Sequence, residues 1–206
     1  MAGDPSTRAV VPFDDVACAI IAGGRARRMG GRVKALIEVE GKTILDRQRA
    51  ALTGRVATVL IAANDARPYA DTGLQVVPDR VPDKGPLAGL SAAMHMCSQP
   101  YLLALACDMP YFDGRLLELL CARRGPSVDI VVPVVGGRPE PLCALYARRL
   151  LPLVDMRLEQ ERLAANGLIR EPGLAVVPIE ESELRQLDPE LRFLANLNTP
   201  GDVARS

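Results

Sequence analysis

Between residues 21 and 34 the chain reads IAGGRARRMGGRVK, where Arg25, Arg27, Arg28, Arg32 and Lys34 are interleaved with Gly23, Gly24, Gly30 and Gly31. The chemistry suited to such a mixture is the holding of a phosphorylated anion. Glycines lack a Cβ, so they turn the backbone sharply and let peptide N–H groups approach phosphate oxygens, while the side chains supply positive charge. The same residues also read, more plainly, as the end of a strand followed by a loop of solvated arginines. Two familiar phosphate loops do not fit. GxGxxG is absent because Ala26 stands two residues after Gly24. The triplet Gly41, Lys42, Thr43 imitates the end of a Walker loop, but Leu36 occupies the position of its first glycine. That triplet is better read as a turn entering a helix, with Thr43 as its N-cap.

Two carboxylates stand out among the 25 acidic residues because each directly follows a strand-like apolar run. Asp108 ends YLLALACD, ahead of Met109 and Pro110. A carboxylate delivered to a strand tip can hold a hard divalent cation, and magnesium needs only one or two protein carboxylates when phosphates and water complete its shell. An aspartate near a proline is also ordinary turn chemistry. Asp79 closes LQVVPD, and the loop after it leads into GPLAGL, where Gly85 and Pro86 open a helix whose positive end suits an anionic ligand. The plain alternative is a loop aspartate.

The elements that must carry these residues follow from the periodicity. Short apolar runs predict strands at 16–22, 56–62, 74–77, 101–106, 128–133, 142–146, 175–179 and 194–197. Helical spacing predicts helices at 44–52, 87–97, 114–122 and 148–166. Their alternation implies an α/β fold: a single-domain, Rossmann-like three-layer sandwich with a mostly parallel sheet. Gly136 and Gly137 read as a hairpin turn, so one late strand is expected to run antiparallel. In such sheets ligands sit outside the carboxyl ends of the strands, which is where Gly23, Asp79 and Asp108 fall. Residues 1–15 read as a flexible tail before a domain at 16–206. There is no internal repeat or low-complexity linker.

With 206 residues, the chain suits one core. A formal net charge of zero and 3% aromatic content argue against a nucleic-acid partner, which calls for a broad positive field or stacking platforms. Cys18, Cys97, Cys107, Cys121 and Cys143 are odd in number and never spaced CxxC, so they read as small core residues rather than disulfides or zinc ligands. His95 lacks a partner at ligand spacing and reads as structural. No run approaches a membrane span and residues 1–10 lack a signal-peptide core, so no membrane association and a cytoplasmic location are expected.

Taken together, these motifs resemble those of nucleotidyltransferases that activate small molecules with a nucleoside triphosphate, most closely the molybdenum cofactor guanylyltransferase family. Ile21, Ala22, Gly23, Gly24, Arg28, Met29 and Gly30 fit that family's LAGGxxxRMG loop, and Lys34 takes the place of its following lysine. Val33 and Ala35 stand where the family usually has Asp and Gly. CDMP at 107–110 is similar to the family's CDxP, GPLAG at 85–89 reproduces its pentapeptide, and Asn64 fits the second Asn of an NxN whose first position is here Ala62. NLNTP at 196–200 matches NxNTP on the pterin side, though it reads equally as a strand followed by a helix cap on Asn198 or Thr199. Glu140 and Pro141 occupy the place of a frequent His-Pro pair.

The resemblance implies Arg25, Lys34 and Asp108 as catalytic residues, with Mg²⁺ on Asp108. It implies nucleotide contacts at Ile21, Ala22, Gly23, Gly24, Lys34, Asn64, Asp79, Gly85, Pro86, Leu87 and Asp108, and acceptor contacts at Arg28, Asn196 and Asn198. The implied reaction transfers GMP from GTP to the phosphate of molybdopterin, with release of pyrophosphate. GTP and molybdopterin are then the small-molecule partners, and insertion chaperones or molybdoenzymes the protein partners. A CTP-using sister enzyme, an enzyme for another phosphorylated acceptor, and an inactive nucleotide-binding regulator are the competing readings.

Overall fold

Residues 16–21 are apolar on both alternating faces, and a strand of that kind is stable only when covered on both sides. In a computed structural model, which describes residues 11–23, 28–29 and 32–197, this run lies at the centre of the sheet as β1 (Phe13–Ile21), buried from Val16 onward. Two small hairpins follow. The first pairs β2 (Arg28–Met29) with β3 (Arg32–Val33), and the second pairs β4 (Glu38–Val39) with β5 (Lys42–Thr43). A 3₁₀ turn over Lys34–Leu36 joins them.

The remaining elements are α1 (Ile44–Leu52), β6 (Val56–Ala62), β7 (Gln75–Val77), α2 (Pro86–Met96), β8 (Tyr101–Ala106) and α3 (Gly114–Ala122). They continue with β9 (Ile130–Val135), β10 (Arg138–Pro139), β11 (Cys143–Ala147), α4 (Leu151–Glu159), α5 (Ala165–Ile169), β12 (Val176–Ile179) and α6 (Glu181–Leu187).

The sheet runs β7, β6, β1, β8, β11, β9, β12, with β10 also on β9. Pairings are parallel from β7 through β8 and between β9 and β12, while β11 runs against both its neighbours. Gly136 (φ 56°) and Gly137 (φ 73°) form the two-residue turn between β9 and β10, as the glycine pair predicts, since both positions need the left-handed region. Thr43 caps α1, its hydroxyl accepting from Asp46 N at 3.0 Å.

β1 sets the three layers. Ala17, Ala19 and Ile21 pack with Leu87, Leu90 and Met94 of α2 and with Val154 and Leu158 of α4. Val16 and Cys18 point the other way, into a cluster with Leu116, Leu117 and Leu120 of α3 and Leu184 of α6. All five cysteines are free and buried, as expected of small apolar residues.

Three expectations need correction. No strand forms at 194–197. A 3₁₀ turn at Arg192–Leu194 precedes an irregular segment, and Leu197 packs instead with Ile37, Val39 and Ile44. Both edges of the neighbouring β8 are already taken by β1 and β11, which leaves that apolar run no ladder to join. The helix expected at 148–166 is divided into a 3₁₀ turn at Arg148–Leu150, α4 and α5. After α4 Glu161 adopts φ 58°, and Arg162 N donates to Arg157 O at 2.8 Å, a Schellman-type end made without glycine. The buried Arg157 guanidinium, ion-paired with Glu171, fills the bend where Gly167 leaves room for it. Finally, α6 occupies a stretch for which no helix was predicted.

Candidate active site

The parallel strands end level. Ile21 pairs with Ala62 and with Ala106, and Ala62 with Val77, so four strand tips lie in one row. The ladder extends slightly past them through Ala22 N to Ala62 O (2.9 Å), Ala63 N to Val77 O (3.0 Å) and Cys107 N to Ile21 O (3.3 Å). This row delivers Gly23, Asn64, Asp79 and Asp108 to the same edge. Lys34 arrives from the 3₁₀ turn, and its ammonium donates to Asp108 Oδ2 at 3.0 Å. Side-chain exposures of 10% and 14% leave this pair mostly shielded from water yet at the surface of the crevice.

The Asp108 turn is held at several points. Leu197 N donates to Asp108 O at 2.9 Å. Gln48, on the core face of α1 beside Ile44, Leu45 and Leu52, donates from Nε2 to Ala106 O (2.7 Å) and to Met109 O (3.1 Å). Sequence reasoning passed over Gln48; its only signal was a polar residue at helical spacing on an apolar face. Burial, together with the Asp108 carboxylate and against the pull of Lys34, pushes the Cys107 thiol up to about 12, so it stays a neutral core group.

On the other side of β1, Asn64 and Asp79 bond reciprocally: Asn64 Nδ2 donates to Asp79 Oδ2 (2.9 Å), and Asp79 N donates to Asn64 Oδ1 (2.8 Å). A Cβ at Gly23 would lie 3.6 Å from Asp79 Oδ2, so a side chain there would begin to cover the carboxylate. Gly85, with φ 70° and ψ −159°, turns the chain into Pro86 at the first turn of α2. One turn on, a Cβ at Gly89 would stand 3.3 Å from Ala62 Cβ and 3.4 Å from Ile21 Cγ2. The second glycine of GPLAG therefore lets α2 lie close against β1 and β6.

Of the sequence-predicted residues, Lys34 and Asp108 are thus brought into contact, as are Asn64 and Asp79, with Gly23 over the latter. Ile21 and Leu87 turn their side chains into the core, leaving main-chain groups for any ligand. Arg28 lies in β2. Asn196 is exposed immediately before Leu197, whose N–H holds the Asp108 carbonyl. Gly24, Arg25 and Asn198 lie outside the described residues. His95 sits on the exposed side of α2, its Nε2 2.8 Å from Asp155 Oδ2.

A cavity of ≈ 100 Å³ opens between Ala22, Val33, Asn64 and Tyr69. One of ≈ 460 Å³ lies on the α2 and α4 side, bordered by Arg80, Lys84, Ser91 and Asp155, and does not include Lys34 or Asp108. Among the described residues no group of three or more His, Cys, Asp or Glu side chains forms a metal cage. The donor set at Asp108 therefore fits a cation that brings its other ligands with it, as Mg²⁺ does with phosphates and water. No helix of the described residues is long and apolar enough to cross a membrane.

The chain is similar to known proteins over nearly its whole length. It is 30% identical over 194 residues to the molybdenum cofactor guanylyltransferase of Desulfosudis oleivorans, covering 94% of this chain and 95% of that one. To the probable molybdenum cofactor guanylyltransferase of Methanosarcina acetivorans it is 34% identical, covering 89% and 86%. The crystal structure of molybdopterin-guanine dinucleotide biosynthesis protein A from Archaeoglobus fulgidus superposes with a TM-score of 0.73 at 25% identity, over 92% of this chain and 95% of that one. Residues 18–175 match the model of the MobA-like NTP transferase domain, and the chain belongs to that family of nucleotidyltransferases.

Proposed function

We propose that the protein transfers the GMP unit of GTP to the terminal phosphate of molybdopterin, forming the guanine dinucleotide cofactor and releasing pyrophosphate. The observation that carries this reading is the Lys34 and Asp108 pair, 3.0 Å apart at the tip of β8. It sets a cation for phosphate beside a carboxylate for a metal, at the edge where such sheets take their ligands.

In the reaction an oxygen of the acceptor phosphate bonds to the α-phosphorus while the bond from that phosphorus to the bridging oxygen breaks, and its electron pair leaves with pyrophosphate. The nucleophile is already anionic, so no strong base is required, and His95, engaged with Asp155, is not asked to act. Lys34 turns from Asp108 toward the β and γ phosphates, while Arg25 and the N–H groups after Ile21 cradle the chain of phosphates. Asp79 and Asn64 orient the nucleoside, and Arg28, Asn196 and Asn198 face the acceptor. Asp108 would hold Mg²⁺, which would supply charge neutralisation at the α-phosphate and the leaving group. What the protein contributes is alignment and electrostatic preorganisation. The product serves a molybdenum enzyme, so a molybdoenzyme or an insertion chaperone consumes it, in the cytoplasm.

The test supplies Mg²⁺, molybdopterin and each nucleoside triphosphate in turn and identifies the product by mass. A guanine dinucleotide formed from GTP alone is the expected result. A cytosine product would move the reading to the CTP-using sister activity, and nucleotide binding without pyrophosphate from any pair would replace it with that of a regulator.

A further inference from the structure

Lys34 and Asp108 belong to segments 74 residues apart, and α1 touches both. Leu45 of α1 shares an apolar cluster with Ala35, the neighbour of Lys34, and with Cys107, the neighbour of Asp108. At the start of α1, Ile44 N donates to Ile37 O at 3.0 Å, which ties the end of the Lys34 turn to the helix. Three positions after Leu45, Gln48 is fully buried and sends both N–H groups of one amide to carbonyls on either side of Asp108, Ala106 O and Met109 O. Because both acceptors are carbonyl oxygens, the amide has one workable orientation. That orientation leaves Gln48 Oε1 buried without a hydrogen-bond partner among the described residues. An apolar residue of similar volume would remove the orphaned acceptor, so the amide is costly as a filler and is explained by its donors.

We propose that Gln48 is a positioning residue that fixes the Asp108 turn at its separation from Lys34, so that losing its amide weakens cation-dependent nucleotide binding without removing a ligand. The proposal rests on the reading of Asp108 and Lys34 as a metal and triphosphate site. It differs from a purely structural role in what it predicts for binding. A filler lowers stability alone, whereas a positioning residue changes how much a divalent ion adds to nucleotide affinity.

The experiment measures GTP binding by calorimetry in Mn²⁺ and in EDTA for the parent protein, Gln48→Met and Leu168→Ala, alongside their thermal unfolding. Leu168 is fully buried in α5, in the cluster facing α2, and serves as the control for stability loss. In Gln48→Met the gain in GTP affinity conferred by Mn²⁺ is expected to fall by at least ~10-fold, about 1.4 kcal/mol. Binding in EDTA should change by less than about twofold. Leu168→Ala should lower the melting temperature and keep the gain. If Gln48→Met does not fold, Gln48→Asn, which keeps the amide on an arm one methylene shorter, should show the same loss. A full Mn²⁺-dependent gain in whichever of these variants folds overturns the proposal while leaving the site reading standing. A parent protein whose GTP binding is indifferent to Mn²⁺ overturns the site reading, and the proposal with it.

Discussion

Replacing Lys34 by methionine keeps the aliphatic stem and removes the charge 3.0 Å from Asp108 Oδ2. At that separation and an effective dielectric of ~20, the attraction is about 5.5 kcal/mol before desolvation is subtracted. Breaking one side of a buried pair costs ~3–5 kcal/mol, because the surviving charge is left without compensation. Side-chain exposures of 10% and 14% allow water to reach Asp108 once the ammonium is gone, so the expected loss lies below that range. We expect about 2 kcal/mol of stability, a fall in melting temperature of about 4–8 °C for a chain of this size. Adding Asp108→Asn should recover part of the loss, since the stranded carboxylate disappears, and the double-mutant cycle should show a coupling of about 1 kcal/mol or more. Turnover behaves differently. Both single variants and the double variant should release pyrophosphate at least ~10²-fold more slowly, about 2.7 kcal/mol of barrier, because in the proposed reaction each loses a group that aligns the triphosphate. Thermal unfolding and a coupled pyrophosphate assay at saturating substrates give the two numbers on the same preparations. A Lys34→Met protein with an unchanged melting temperature and near-parent pyrophosphate release would refute the reasoning about this pair.

Asp79→Asn keeps the backbone donation to Asn64 but removes the charge from the side proposed to take the nucleoside. The KM for GTP should rise about 10-fold with kcat within about threefold, and an unchanged KM in steady-state kinetics would exclude Asp79 from the nucleotide site. Gly89→Val places its Cβ 3.3 Å from Ala62 Cβ, so overpacking should cost about 1–3 kcal/mol and lower the melting temperature by about 2–12 °C in a calorimetric scan. Burial raises the Cys107 and Cys121 thiols to about 12. Iodoacetamide labelling of the native protein should therefore stay flat from about pH 7 to 9, whereas the unfolded chain, with thiols near 8.5, labels faster as pH rises. By linkage, folding stability should be at its full value below about pH 8.5 and decline above it, where only the unfolded state ionises; a denaturant series across pH checks the sign.

The parts of the fold most legible in the sequence are those where local periodicity and tertiary burial agree. α1, β6, β8 and α3 begin and end at the predicted residues because their apolar spacing is closed by real caps and turns. β1 starts three residues early. Its first residues include Asp14 and Asp15, and it is extended by distant partners: Arg124 donates to Asp15 at 2.9 and 3.0 Å and lies over the Phe13 ring. No local pattern announces that. The end of α4 was likewise hidden, because its stop signal is the left-handed Glu161 and the buried Arg157 rather than a glycine or proline. At the candidate site, Asp79 and Asp108 were readable because a carboxylate directly follows an apolar run, and Lys34 because it closes a glycine-rich basic loop. Gln48 was not, because its importance lies in the two carbonyls it meets, 58 and 61 residues away.

β11 runs opposite to its neighbours, so the residues that approach the tip of β8 are those before the strand: Cys143 pairs with Leu105, and Leu142 O accepts from Ala106 N at 2.7 Å. The crevice consequently has two banks that come from different stretches of the chain. One is built from the strand tips and the Lys34 turn, with Leu197 tied to Asp108, the other from the stretch around Glu140 that enters backwards from the Gly136 and Gly137 turn. Lengthening, shortening or exchanging 136–141 redraws the second bank while the row of level tips keeps its register. The two sides of this edge can therefore be altered separately, because they meet only along the ladder between β8 and β11.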